Sequence, residues 1–113
     1  MPKTAAGFEK DFRSLKKDQS ALQEYLKKMP CSSVEQWYKS QEVTYEVLSE
    51  LLHAVEPVSN EEWVGKLLIS LAKADNFEMT LMFAEDADRS NISKIISKLP
   101  GSVKAAVQKK YDV

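Results

Sequence analysis

The sequence predicts an all-α fold, a compact bundle of about seven short helices in an orthogonal or solenoid-like arrangement. Three observations carry this. Apolar residues recur at spacings of three and four through nearly every segment, the period of a helix face. Glycine and proline are scarce, three and four in 113 residues, too few for turn-rich β architecture. Capping residues and prolines interrupt the pattern at short intervals, and short connections favour antiparallel neighbours. Val43-Thr44-Tyr45 and Leu67-Leu68-Ile69 have some strand character, but each lies inside a longer helical pattern. No internal repeat of fixed period is present. A chain that is 43% hydrophobic and 29% charged suits one domain with a single core.

Residues 1–7 read as a disordered lead or the end of a linker, residues 8–101 as the helical domain, and residues 102–113 as a tail that can dock as one more helix. Phe8, Phe12 and Leu15 form the first stripe, closed by Lys16-Lys17. Asp18 is placed to cap a second helix carrying Leu22, Tyr25, Leu26 and Met29. Pro30 ends it, because proline cannot continue the hydrogen-bond ladder. Ser32 with Glu35 fits a capping box ahead of Val34, Trp37 and Tyr38. Thr44 caps the next helix, which runs to about Ala54 and holds Tyr45, Val47, Leu48, Leu51, Leu52 and Val55 before Pro57 breaks it. Ser59 with Glu62 fits a second capping box, leading into Trp63, Val64, Leu67, Leu68 and Leu71. Gly65 inside that helix costs about 1 kcal/mol relative to alanine, which suggests a close helix crossing. Glu85-Asp86-Ala87-Asp88 is a capping turn before Ile92, Ile95, Ile96 and Leu99, and Pro100-Gly101 stops that helix. Val103, Val107 and Tyr111 give the tail a helical stripe.

The most apolar stretch is Leu67–Phe83, broken only by the polar hinge Lys73-Ala74-Asp75-Asn76. Asp75 or Asn76 is placed to cap a new helix with its side-chain oxygen. The segment Phe77-Glu78-Met79-Thr80-Leu81-Met82-Phe83 is too apolar for a surface helix. A short helix that is hydrophobic nearly all round is either central in the core or half core and half partner site. Phe77 is the core anchor; Met79, Met82 and Phe83 are the expected partner-binding patch, with Asn76 and Glu78 as its polar rim.

Chemistry finds little purchase elsewhere. The formal net charge of −1 lacks the basic excess of a nucleic-acid binder. The pairs Lys16-Lys17, Lys27-Lys28 and Lys109-Lys110 lie near predicted helix C-termini, where cations complement the dipole. One cysteine, Cys31, points to a reducing, cytoplasmic compartment, and no apolar run reaches the ~20 residues that span a bilayer. One histidine, His53, with one cysteine does not make a tetrahedral zinc site without carboxylate help. The acidic turn at 85–88 lacks the glycine and terminal glutamate of a calcium loop. No enzyme activity, metal or cofactor is expected. The alternative class is a membrane-traffic adaptor binding lipid head groups or sorting peptides through Lys16, Lys17, Lys27 and Lys28.

The segments Phe8-Glu9-Lys10-Asp11-Phe12-Arg13-Ser14-Leu15, Leu22-Gln23-Glu24-Tyr25-Leu26-Lys27-Lys28-Met29-Pro30 and Leu67 through Met79 resemble, in order, the C-terminal domain of the RNA polymerase II-associated protein 3 / sperm-associated antigen 1 family. The resemblance spans about residues 8–99, and residues 107–113 are similar to the end of sperm-associated antigen 1. It implies a helical adaptor that docks onto a RuvB-like AAA+ ATPase. In the family this domain follows tetratricopeptide repeats that hold a heat-shock chaperone. The whole protein then serves assembly of large complexes, axonemal dynein arms in some members. The family's basic–aromatic–acidic–Met segment maps onto Asn76-Phe77-Glu78-Met79 and its later aromatic onto Phe83; asparagine stands here in the basic position.

Overall fold

Eight α-helices follow one another in the computed structural model, which describes residues 3–39, 41–58 and 60–111. They are α1 (Ala5–Leu15), α2 (Gln19–Lys28), α3 (Cys31–Trp37), α4 (Tyr45–Val55), α5 (Glu62–Leu71), α6 (Phe77–Met82), α7 (Asp86–Lys98) and α8 (Gly101–Tyr111). No strand occurs among the described residues. The all-α prediction holds. The near-equal extents of 30 × 29 × 25 Å exclude an elongated solenoid. The radius of gyration, 12.8 Å, is that of a compact chain of this length, about 13 Å.

α5 is the hub, packed against both α3 and α8, while α4 lies on α2 and α7. Its contact with α8 depends on Gly65. A Cβ there would stand 2.8 Å from the Val103 Cβ, so the close crossing expected from the sequence is present. Tyr111 fastens the same pair of helices. Its buried hydroxyl donates to the Leu68 carbonyl at 2.8 Å, and its ring meets Phe77 edge-on at 5.2 Å. At the other end Phe8 stacks on Trp37 at 5.5 Å and on Tyr25 at 6.4 Å. The Tyr25 and Tyr38 hydroxyls donate to Asp11 and Glu9 of α1. Tyr38 therefore belongs to the interior, and Trp37 and Trp63 pack against it half-buried.

Asp18 and Thr44 cap α2 and α4, accepting from the Ala21 and Val47 amides. The first proposed capping box is not formed. α3 starts at Cys31 from the Pro30 carbonyl, which accepts from Ser33 and Val34, so Ser32 already lies inside the helix. Glu35 instead crosses to Lys73 at 2.9 Å. In the second box Ser59 lies outside the described residues, α5 is preceded by Glu61 without a side-chain cap, and Glu62 takes Lys66 at 2.9 Å and Ser102 at 3.2 Å. The reason is register: α3 starts at Cys31 and α5 at Glu62, so neither Glu35 nor Glu62 stands at the third helical position, from which a capping-box side chain reaches back. At the N-terminus Thr4 caps α1, which begins at Ala5 rather than Phe8. The lead assigned to residues 1–7 is thus helical over 5–7, with Ala5 buried; Met1 and Pro2 lie outside the described residues. α8 starts from the Pro100 carbonyl and buries Val103, Val107 and Tyr111.

Candidate protein-docking face

The hinge before α6 decides which way that helix faces. Asn76 is the N-cap residue, at φ 53°, the only non-glycine with positive φ among the described residues. Asparagine tolerates this left-handed conformation better than other side chains. Its side chain does not cap α6, contrary to the expected role. It donates instead to Glu42 at 2.8 Å, tying the hinge to the segment before α4. The Asp75 amide donates to the Tyr38 carbonyl at 3.3 Å, and Thr80 Oγ1 donates to the Val43 carbonyl at 3.0 Å. The short helix is held by these bonds and by its buried face, not by its own length, since six residues form no stable helix alone.

That buried face is Phe77, Thr80 and Leu81. The opposite face carries Met79, Met82 and Phe83, at 59%, 76% and 66% exposure the large exposed hydrophobics of the described residues. Their spacing, three and four from Met79, puts them on one stripe. Glu78 and Asn76 are exposed beside them. The structure thus brings together all five residues expected in the patch and sends Phe77 inward. Open grooves flank the stripe. One, of about 470 Å³, runs past Ala72, Ala74, Met79 and Met82; another, of about 490 Å³, lies between Phe83 and Thr44, Tyr45 and Glu46. Both are shallow and open, the shape of a contact surface for a macromolecule.

A buried carboxylate fixes Tyr45, which lines the groove beside Phe83. Asp88, only 5% exposed, accepts from the Tyr45 hydroxyl and from Ser49 Oγ at 2.9 Å, locking α7 to α4. Burial alone would raise its pKa, but the bonds from Tyr45, Ser49 and the backbone at Glu85 hold it below the ordinary range. The same bond pushes the Tyr45 phenol up. The sequence reading of Glu85-Asp86-Ala87-Asp88 as a capping turn missed this strut; no local pattern distinguishes Asp88 from its exposed neighbour Asp86. Also missed were the cations beside Met82: Arg89, Lys109 and Lys110 line a further groove with Glu78, Leu81 and Met82.

Elsewhere the chemistry is sparse. Cys31 is half-buried at the start of α3 and His53 is exposed on α4. Among the described residues no three His, Cys, Asp or Glu side chains gather as a metal site. None of the helices is long and apolar enough to cross a membrane.

Residues 1–89 match the family model described as "Potential Monad-binding region of RPAP3". The chain belongs to the RPAP3 C-terminal family. This is the family that the ordered series Phe8–Leu15, Leu22–Pro30 and Leu67–Met79 resembles. A solved structure, the NMR structure of the C-terminal domain of the human RPAP3 protein, shares the fold of this RPAP3-family chain with a TM-score of 0.74. The alignment covers 98% of this chain and 88% of that one at 22% identity. A search of curated proteins gave no match.

Proposed function

We propose that this RPAP3-family chain is a non-enzymatic docking domain that binds a RuvB-like AAA+ ATPase through Met79, Met82 and Phe83, with Asn76 and Glu78 at the rim. The observation that carries the reading is the outer face of α6. Three large apolar side chains stand 59–76% exposed on one stripe of a helix whose other side is fully used in the core. Methionine and aromatic side chains of this kind are the adaptable anchors that interfaces favour. Family membership supports a protein partner, since the description concerns a binding region. The resemblance supplies the ATPase, and with it the larger role: joining that ATPase to a heat-shock chaperone held by other domains, in cytoplasmic assembly of large complexes such as axonemal dynein arms. The membrane-adaptor alternative needs a free basic face. It is weakened by Lys16, which pairs with Glu50 of α4 at 3.4 Å.

The test is a pull-down of purified RuvB-like hexamers by wild type and Phe83→Ala. Truncating a central anchor typically costs about 2 kcal/mol or more, which is about 30-fold in affinity. Capture by wild type and loss with Phe83→Ala supports the reading. Equal capture moves the interface to another face. No capture of hexamers beside clear capture of Monad, which the family description names as a potential partner of RPAP3, reassigns the partner.

A further inference from the structure

The apolar stripe does not fade into neutral surface. On the Met82 side an open groove of about 370 Å³ is lined by Glu78, Leu81 and Met82 of α6, Arg89 of α7, and Lys109 and Lys110 of α8. Three cations against one carboxylate make this spot positive in a chain whose net charge is −1. The ion pairs formed among the described residues use Lys16, Lys66, Lys73 and Lys98, and none engages the three cations of the groove. Helix dipoles account for two of them, because Lys109 and Lys110 end α8. They do not account for Arg89. It stands in the fourth position of α7, near the positive end of that dipole, where a cation is disfavoured. The lysines also lie beyond residue 89, where the family match ends.

We infer that this groove receives a carboxylate-bearing segment of the protein partner: an apolar side chain against Leu81 and Met82, and Asp or Glu side chains held by Arg89, Lys109 and Lys110. The inference rests on the docking reading and states what the contacting segment is made of. Arginine's planar fork matches a carboxylate in two bonds, while the lysines act as point charges. Glu78, on the α6 wall, repels an incoming carboxylate and steers it towards α7 and α8. Charges at such a rim govern encounter and salt dependence more than final affinity.

The experiment measures binding of the full chain to RuvB-like hexamers at about 50 mM and about 500 mM salt, where screening lengths differ several-fold. It compares wild type, Phe83→Ala, and the triple variant Arg89→Gln/Lys109→Gln/Lys110→Gln. Exposed pairs contribute up to about fivefold each, so the triple variant binds about tenfold more weakly at low salt. The gap closes at high salt, with an unchanged melting temperature. A triple variant that keeps wild-type affinity and salt slope, while Phe83→Ala loses binding, overturns the inference and leaves the docking reading standing. The reverse pattern overturns the apolar face and keeps the groove. If wild type binds no hexamer, a peptide pair decides. Amide shifts at residues 81–82, 89 and 109–110 are followed with acetyl-Leu-Phe-Glu-Glu-Glu-amide and with its all-Gln counterpart. Preference for the Glu peptide supports the groove, and equal or absent shifts overturn it. A short RNA that moves the same amides at lower concentration than the Glu peptide overturns it in favour of phosphate.

Discussion

Gly65→Ala sets two opposed effects against each other, and the structure decides the sign. On an isolated helix the change stabilises by about 1 kcal/mol, because glycine loses more backbone freedom on folding than alanine does. Here the new methyl would stand 2.8 Å from the Val103 Cβ and 3.5 Å from Leu99 Cδ2. The second distance is ordinary contact. The first is about 1 Å inside the normal carbon–carbon separation of roughly 3.5–4.0 Å. Because that Cβ is fixed to the backbone of α8, no rotamer change of Val103 relieves it; α5 and α8 must part. Overpacking of this kind costs about 1–3 kcal/mol, so the net expectation is a loss of about 1 kcal/mol. Urea unfolding followed by helical circular dichroism reads this directly, and a thermal scan shows a drop of about 4 °C or more. In a Val103→Ala background the still closer contact with Val103 Cγ2 is gone while the Cβ contact remains, so the two changes couple favourably by about 0.5 kcal/mol or more. A Gly65→Ala protein more stable than wild type by about 1 kcal/mol refutes the close crossing, and with it the placement of α8 on α5.

The brace, the latch and the hinge each give a prediction. Asp88→Asn weakens two bonds to a buried charge and lowers stability by about 1.5–3 kcal/mol in chemical unfolding. Because the folded state holds the Asp88 pKa below its unfolded value of about 3.9, its contribution is complete above that value and fades as pH falls through the lower folded value. Wild type therefore loses stability below about pH 4 faster than Asp88→Asn does, and parallel acid titrations of the two would contradict this. Tyr111→Phe removes the bond to Leu68 but keeps the ring on Phe77, and costs about 1 kcal/mol; a Tyr111→Ala loss no larger than the Tyr111→Phe loss would mean that the ring is not packed. Asn76→Gly keeps the left-handed hinge and changes stability little, whereas Asn76→Val forces a branched side chain into it and costs about 1–2 kcal/mol, both read in the same unfolding assay.

Most of the helical order was legible because it is local. Apolar spacing gave α1 through α8 their buried stripes, and Asp18 and Thr44 cap as read because the amides they serve lie three residues on. What failed was the register of two helix starts, whose glutamates have other partners. Glu35 and Glu62 satisfy the capping-box pattern, yet Lys73, Lys66 and Ser102 claim them in the folded chain. Asn76 sits at the predicted cap position for a different reason, its backbone conformation. The outer face of α6 was legible because Met79, Met82 and Phe83 exceed what one side of a six-residue helix can bury. Arg89 meeting Lys109 and Lys110 was not, since only the fold of α8 back onto α5 brings them beside Met82. Asp88 was hidden among acidic residues that a helix start attracts anyway.

The central claim is that the stripe on α6 serves a partner and not the core, and Met82→Ser/Phe83→Ser tests it in one pair of measurements. Both side chains are mostly exposed, so the melting temperature should stay within the range of a surface change, about 0.5 kcal/mol in stability. Affinity for RuvB-like hexamers, measured on the same sample, should fall about 30-fold or more. A variant that melts several degrees lower while any surviving folded protein binds as wild type would contradict the claim, because the two side chains would then be packing residues.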